Sequence, residues 1–375
     1  METMLDLEQL GVRLASVDTM MMVLAKRRME LALQVGRFKR RANQKMFRAD
    51  VEDKRIAKIK EWALEHGLNP NFAASLLYLL IGESCKLQAI QMQDETLNIV
   101  GPQTEDEWYE DLKKNLLLLT ERWCDSYDND YENHAFATKA YLIFEQGHIK
   151  REIERLSNRG TVIDLGCATG RLTLPLCEHF QHAIGYDVSP HMVATAKKNA
   201  GVHISGARTS FSEVDVENGI PVGDATASFV VMNLGTASDV RNIKEVIGET
   251  LRVLEPGGRF LFSFYNRDAL LYRWEFLPWP VGLVASINLY KHCLEVHSRN
   301  EVLSVYARPY TAAEVEALFL EAGVAINVST YPTISSILPD DVFENQPGTQ
   351  EAVTAIDANL ASSSMGAYII ATGQK

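Results

Sequence analysis

The segment Thr161-Val-Ile-Asp164-Leu-Gly166-Cys-Ala-Thr-Gly170 constrains the fold of this chain more than any other. A short apolar run suited to a buried strand breaks into a glycine turn, and Arg171-Leu-Thr-Leu-Pro-Leu follows as a helix start. Strand, glycine-rich turn and helix are the parts of a nucleotide-binding crossover, where backbone approaches the ligand closely. The G-x-x-x-G spacing differs from G-x-G-x-x-G and suits an adenosyl group against backbone better than a pyrophosphate on a helix end. A second apolar run, Ala183-Ile-Gly-Tyr186, ends in Asp187, 21 positions after Gly166. An acid at about 20 residues' offset meets ribose hydroxyls.

From residue 161 onward strand and helix patterns alternate: 161–165, 171–180, 183–187, 190–199, 208–214, 228–233, 239–254 and 259–265. Alternation at this spacing predicts an α/β unit, a parallel sheet covered by helices on both faces. A hairpin is expected from Cys293 to Pro309 around Ser298-Arg-Asn300, then a helix at 311–322 and strands at 324–331 and 367–372.

The region from about residue 120 to the C-terminus resembles the class I methyltransferases that use S-adenosylmethionine. Asp164-Leu-Gly166-x-x-x-Gly170 is similar to their first motif, and Tyr186-Asp187-Val188-Ser189 to the end of their second strand. Phe211-Ser-Glu-Val-Asp215-Val216 is similar to the third, and Leu251-Arg-Val-Leu-Glu-Pro256-Gly257-Gly258-Arg259-Phe260 to the helix, turn and fifth strand beyond the cofactor. The resemblance implies a Rossmann-like seven-stranded sheet with a reversed final strand. It implies S-adenosyl-L-methionine as cofactor, with Gly166 and Gly170 beside its methionine and ribose portions and Asp164 on its amino group. Asp187 would hold the ribose hydroxyls, Asp215 the adenine amino group, the Val216 amide a ring nitrogen, and Asn233 a further cofactor contact.

The first hundred residues carry helix signals and almost none for strands. Val17, Met21, Leu24, Leu31, Val35 and Phe38 fall at helical spacing, predicting a long helix over about 7–42. Further helices are expected over 51–66, where Gly67 and Pro70 stop the pattern, and over 71–93. Arg28 and Lys39 read onto the same stripe as Leu24, Leu31 and Val35, while Ser84 and Gln88 share one with Leu77, Leu80 and Ile81. A charge on an interior stripe is costly without an anion to meet it, so two cations and two neutral donors suit a dicarboxylate.

Residues 8–92 resemble the all-helical chorismate mutases, in which three helices from each of two chains interlock. That resemblance implies a homodimer and a chorismate-type pocket of Arg28, Lys39, Ser84 and Gln88; Asp18, Gly36 and Glu83 fit the pattern too. Gly11 stands where the family has an arginine, with Arg13 on another face. Ala49 and Glu52 replace an aspartate and an arginine, and Asp53 takes the place of a glutamate. Losing cations and gaining an acid beside a dianion opposes transition-state electrostatics. The pocket is therefore expected to be vestigial and the domain a dimer scaffold.

These readings divide the chain into a helical domain over 1–100, a helical, cofactor-covering segment over 101–157 with helices at 105–123 and 133–157, and a methyltransferase-like domain over 158–375. The length of 375 residues suits two cores. A net charge of -12 argues against a nucleic-acid surface. Cysteines 85, 124, 167, 177 and 293 form no C-x-x-C pair and read as reduced thiols, not a metal site. No apolar stretch is long enough to span a bilayer, so a cytoplasmic enzyme without membrane partners is expected.

Between Trp123 and His134, Tyr127 and Tyr131 are candidates to face the sulfonium, although packing aromatics in a surface loop would look the same. Tyr265 and the Tyr272-Arg-Trp274-Glu-Phe-Leu-Pro-Trp279-Pro insertion would form an acceptor pocket or lid. The expected activity is methyl transfer to a small molecule in specialised metabolism. Three alternatives stand beside it: a cyclase that consumes S-adenosylmethionine, closing azetidine-2-carboxylate and releasing methylthioadenosine; a bifunctional mutase and methyltransferase; and a helical domain that is a non-catalytic effector-binding module.

Overall fold

The computed structural model describes residues 7–41, 49–97, 104–132, 136–273, 284–288, 292–298, 301–338, 343 and 348–375. The chain divides into two compact units, Met1–Thr104 and Glu105–Lys375.

The first unit consists of α1 (Leu7–Arg41), α2 (Ala49–Glu65) and α3 (Pro70–Leu97). At 1.5 Å per residue the 35 residues of α1 reach about 50 Å. A small core of Ile56, Ala74 and Ile81, with Leu77 against it, joins α2 to α3. Gly36 is buried, and a Cβ there would stand 2.6 Å from Gln88 Cγ, so α1 and α3 pass close together at this point. The expected stripe is corrected here. Leu24, Leu31 and Val35 are 68%, 48% and 48% exposed, and the side of α1 turned inward carries Ala25, Arg28, Met29, Ala32, Gly36 and Lys39. Small residues let two long helices approach, and the larger apolar ones are left facing outward.

The second unit begins with α4 (Glu105–Trp123), α5 (Tyr127–Glu132) and α6 (Phe136–Glu154). Its sheet has seven strands in the order β3-β2-β1-β4-β5-β10-β9. They are β1 (Thr161–Leu165), β2 (His182–Asp187), β3 (Thr209–Glu213), β4 (Ala227–Met232), β5 (Leu254–Tyr265), β9 (Ile326–Tyr331) and β10 (Tyr368–Gln374). The first five pair in parallel, whereas β10 runs antiparallel to both β5 and β9. Every residue of β4, Ala-Ser-Phe-Val-Val-Met, is buried, as a central parallel strand requires.

Both faces are covered. On one, Val246 and Ile247 of α9 (Ile243–Val253) and Val315 and Phe319 of α11 (Ala312–Glu321) meet Val230, Phe260 and Phe262. On the other, Tyr141, Ile149 and Ile153 of α6 meet Phe229, Val231 and Leu261. Ile243, Val246, Ile247 and Val253, with a buried Thr250 between, fall on one side of α9. Thr311 and Glu314 start α11 with a reciprocal capping box.

Several elements depart from expectation. The helix predicted over 171–180 is confined to α7 (Thr173–Leu176), with turns on either side of it. Past α8 (Pro190–Val202) and α10 (Leu270–Arg273), the predicted hairpin is β7 (Cys293–Ser298) with β8 (Glu301–Tyr306), and an unpredicted strand β6 (Val284–Asn288) extends it to three. This small sheet packs on α4 through Tyr109, Leu112 and Leu119 against Cys293, Tyr306, Val296, Leu303 and Val305. An unpredicted helix, α12 (Thr349–Leu360), carries the buried Asp357, whose carboxylate accepts from the amides of Thr333, Ile334 and Ser335 and from the Ser335 hydroxyl. The side chains of Ala49, Glu52, Asp53 and Tyr131, residues 274–280 and the turn at 299–300 lie outside the described residues.

No helix among the described residues is long and apolar enough to cross a membrane, and no described cluster of His, Cys, Asp and Glu could hold a metal ion. Cys124, Cys167, Cys177 and Cys293 are free thiols.

Candidate functional site

The carboxyl ends of β1, β2 and β4 converge on the glycine turn. Gly166, Ala168 and Gly170 have φ of 78°, 45° and 79°. The amides of Gly166 and Cys167 both donate to Tyr186 O, which ties the turn to β2. Ala168 is not a glycine, and a left-handed Ala persists only where its surroundings hold it. Asp187 supplies that hold. Its Oδ2 accepts the Ala168 amide at 2.8 Å and its Oδ1 the Ser189 amide at 2.8 Å. Ser189, not Asp187, caps α8, accepting from the Met192 amide.

The reason for the two glycines differs in part from expectation. A Cβ at Gly166 would stand 2.5 Å from Thr236 Cγ2, and one at Gly170 would stand 2.8 Å from Phe211 Cζ. Both collisions are with the protein's own side chains, so these glycines pack the post-β1 turn against the post-β4 loop and β3.

Asp164, at the end of β1, is 1% exposed. Its Oδ2 accepts from Thr173 Oγ1 at 2.6 Å, while its Oδ1 is buried with no hydrogen-bond partner among the described residues. Burial pushes its carboxyl up to about 7; Asp187 and Glu145 add to the rise, and Thr173 and Arg171 oppose it. Burial also raises Asp187, against the pull of its two amide donors.

Sequence reasoning missed Glu145. This side chain is 2% exposed on α6, accepts from Tyr141 Oη at 2.7 Å and the Leu234 amide at 2.9 Å, and is pushed by burial up to about 7. Tyr141 Oη also meets Ser263 Oγ, which accepts the Gly235 amide at 2.9 Å. Leu234 and Gly235 have φ of 51° and 79°, so the loop after Asn233 is a second strained turn. The available signal was a carboxylate at helical spacing on the stripe of Tyr141, Ile149 and Ile153. Asn233 itself is buried beside this turn, and its carbonyl accepts the Thr236 amide.

The stretch bearing Tyr127 lies over the glycine turn, through a residue that was not singled out. Asp128 accepts from Thr169 Oγ1 at 2.5 Å and from Asn199 Nδ2 at 3.4 Å, and Asn199 also donates to Thr169 O. Tyr127 is half-buried and packs edge-on against Trp123. Tyr265 closes β5, and its ring fills the space a Cβ at Gly235 would need.

Asp215 opens the 3-10 turn Val216–Asn218, accepting the Glu217 amide at 3.1 Å. Its Oδ2 lies 2.6 Å from Lys113 Nζ on α4. Glu217 stands 3.4 Å from the same ammonium and accepts from the Tyr109 hydroxyl. Burial works to lower Lys113, but Asp215 and Glu217 outweigh it and the group is raised. Val216 is half-buried against the core.

In the first unit, Arg28 donates to Leu80 O and Ser84 Oγ, and Ser84 donates to Leu80 O at 2.6 Å. Gln88 is buried, with its Oε1 lacking a partner among the described residues, and Lys39 is half-buried. Three of the four predicted pocket residues thus lie along the α1–α3 contact, and Lys39 sits on the same side of α1.

A seven-stranded sheet, parallel except for β10 inserted between β5 and the edge strand β9, covered by helices on both faces and with a glycine turn and Asp187 meeting at its carboxyl edge, is a doubly wound α/β fold. Residues 162–258 match the methyltransferase domain family and residues 12–89 match chorismate mutase type II, so the chain carries one domain of each kind. It is similar to demethylmenaquinone methyltransferase of Leptospira interrogans, 33% identical over 119 residues, 31% of this chain and 47% of that protein. The chain thus spans about half the length of that curated relative. It is also similar to 4-amino-4-deoxychorismate mutase of Streptomyces venezuelae, 26% identical over 96 residues, 24% of this chain and 89% of that one. Among solved structures, an S-adenosylmethionine-dependent methyltransferase from Mesorhizobium loti aligns with a TM-score of 0.39 and 15% identity, over 60% of this chain and 96% of that chain.

Proposed function

We propose that this protein is an S-adenosylmethionine-dependent methyltransferase acting on a small molecule in specialised metabolism, in the cytoplasm. The carrying observation is the buried, unpartnered Oδ1 of Asp164 beneath the glycine turn, with Asp187 and Glu145 in electrostatic range. Carboxylates in a dry site favour a ligand that brings positive charge. S-adenosylmethionine brings an ammonium and a sulfonium, and it supplies the electrophilic methyl.

The residues present fit that cofactor. Asp164 offers an open acceptor to the amino group. Asp187 uses one lone pair on each oxygen for Ala168 and Ser189, leaving acceptor capacity for two ribose hydroxyls. Asp215 and the Val216 amide would meet adenine, and Lys113 orients the carboxylate. Asp128 holds α5, with Tyr127, across the turn, which would exclude water from the reacting centre. Tyr127, on the same short helix as Asp128, is the candidate to face the sulfonium, and Tyr131 is carried with it from the sequence alone. Methyl transfer needs in-line placement more than acid or base, so holding donor and acceptor together supplies much of the rate.

The helical unit is read as a homodimerisation scaffold without mutase activity. Leu7, Val12, Leu14, Val17, Met20, Met21, Leu24 and Phe38 of α1 are all exposed in the single chain, a larger apolar surface than a soluble monomer ordinarily shows. Gly11, Ala49 and Glu52 leave the Arg28, Lys39, Ser84 and Gln88 pocket short of cations.

Calorimetry with S-adenosylmethionine tests the reading: micromolar binding is expected, and no heat of binding at any pH would end it. Incubation with the cofactor alone, read by mass spectrometry, separates methyl transfer from cyclisation. Stable cofactor is expected, and methylthioadenosine with a new amino acid would replace transfer by cyclisation.

A further inference from the structure

Asp239 is an acid that the sequence motifs leave unassigned. It belongs to the loop after β4, in which Ala237 and Ser238 are fully buried and Val240 nearly so. Its Oδ1 is closed to solvent and has no hydrogen-bond partner among the described residues, while the residue as a whole is half-buried. The carboxyl thus stands at the wall of an opening, not in the packed core. We propose that Asp239 receives the protonated nitrogen of the methyl acceptor and takes its proton, so that the substrate class is an amine.

The loop sets Asp239 at the carboxyl edge of the sheet, beyond which open α/β sheets bind their ligands. At one end of the loop Thr236 lies against Gly166 of the glycine turn, and its carbonyl accepts the Asp239 amide at 3.0 Å. At the other end the Asn242 amide donates to Glu217 at 2.6 Å, and Glu217 shares Lys113 with Asp215. Asp239 is three residues from each of these contacts. Beside it, Ser238 Oγ accepts the Tyr265 amide at 2.8 Å, which ties the aromatic residue expected in the acceptor pocket to the same loop.

The cations on the surrounding elements are directed elsewhere. Arg241, two residues on, pairs with Asp106 at 2.9 Å and covers the Tyr109 ring. Arg308, whose amide donates to Ser238 O, lies over Tyr310 and 3.9 Å from Glu314. Arg267 meets the same glutamate at 3.0 Å. A carboxyl so placed is costly to ionise until a cation arrives, and burial raises it well above the ordinary carboxylate range. A ligand's ammonium supplies the missing charge, and a carboxyl made more basic by burial is better matched to an amine's proton. A neutral hydroxyl acceptor would leave the acid uncompensated.

The ammonium nitrogen gives one proton to the Asp239 carboxylate. Its freed lone pair then bonds the methyl carbon, while the electron pair of the carbon–sulfur bond stays on sulfur. The product leaves as a methylated ammonium, and Asp239 returns its proton to solvent.

The proposal rests on the methyltransferase reading above, and the experiment separates the two failures. The full chain is saturated with S-adenosylhomocysteine, and phenethylamine and hexylamine are titrated by calorimetry beside phenethyl alcohol and hexanol, which match them in shape and lack the charge. Each amine is expected to bind at least about tenfold more tightly than its alcohol. Asp239→Asn should abolish that preference and leave the Kd values of S-adenosylhomocysteine and S-adenosylmethionine unchanged. Equal binding of amine and alcohol, binding of neither, or a preference kept in the folded variant would each overturn the proposal. A variant that loses affinity for S-adenosylmethionine but not for S-adenosylhomocysteine would put Asp239 at the sulfonium and overturn it too. Should the variant not fold, the comparison of amine with alcohol on the unaltered chain decides alone. If S-adenosylhomocysteine itself does not bind, the methyltransferase reading fails first, and this proposal with it.

Discussion

Lys113 on α4 and Asp215 at the end of the β3 loop are joined by a 2.6 Å ion pair, which couples the small three-stranded sheet that packs on α4 to the position expected for adenine. Removing the cation leaves Asp215 and Glu217 facing each other without it. Lys113→Met is expected to weaken binding of an adenosyl ligand about three- to tenfold, equivalent to about 1 kcal/mol for a partly buried pair. Competition with adenosine checks it, since a purely structural role would leave relative affinities for adenosine and inosine unchanged.

Asp128 holds α5 across the glycine turn through Thr169 and Asn199. Asp128→Ala should raise the Kd for S-adenosylhomocysteine about tenfold while lowering global stability by no more than about 1 kcal/mol. Limited proteolysis should show faster cleavage near residues 124–132. Unchanged cleavage together with unchanged Kd would mean that the bond contributes nothing to closing the site.

Gly166→Ala places a Cβ 2.5 Å from Thr236 Cγ2 in a residue at φ 78°. A loss of about 2–4 kcal/mol in urea denaturation is expected from clash and backbone strain together. Adding Thr236→Ser removes the methyl and should restore part of the loss, leaving the strain. No recovery would show that conformation alone decides this position.

The buried carboxyls of Glu145 and Asp164 predict a sign for stability against pH. Their folded values, about 7, lie above those of the unfolded chain, so the native state binds more protons between roughly pH 4.5 and 7. Stability of the ligand-free protein should fall as pH rises through that window, by roughly 1–3 kcal/mol from this source. Glu145→Gln should flatten the profile measured by thermal unfolding between pH 5 and 8.

The outward apolar side of α1 predicts self-association. Val17→Glu with Leu24→Glu should convert a dimer to a monomer in sedimentation equilibrium, because both side chains are about half or more exposed in the single chain and would be buried only by a partner. A monomeric wild-type chain would end the dimer reading.

Much of this architecture was legible in the residues. Short apolar runs between helix patterns located all seven strands of the main sheet, since buried parallel strands such as β4 read as nearly continuous apolar runs. Gly166, Gly170 and Asp187 were legible because a left-handed turn and a carboxylate at a fixed offset leave local marks. The helix α12 was not, since Asp357 makes sense only against the amides of Thr333, Ile334 and Ser335, more than 20 residues away. The direction of α1 was misread for a related reason: periodicity gives a stripe, and which stripe meets α3 depends on Gly36 fitting against Gln88.

Local chemistry along the chain was thus enough for the helical unit, the doubly wound sheet and the position of the glycine turn, because propensity, period and glycine spacing act over a few residues. Tertiary packing alone brought Glu145 to Leu234, Lys113 to Asp215 and Asp128 to Thr169, across 89, 102 and 41 positions of sequence. Burial then decided the charge of Glu145 and Asp164, because the cost of ionising a carboxyl depends on how much water the completed fold leaves around it.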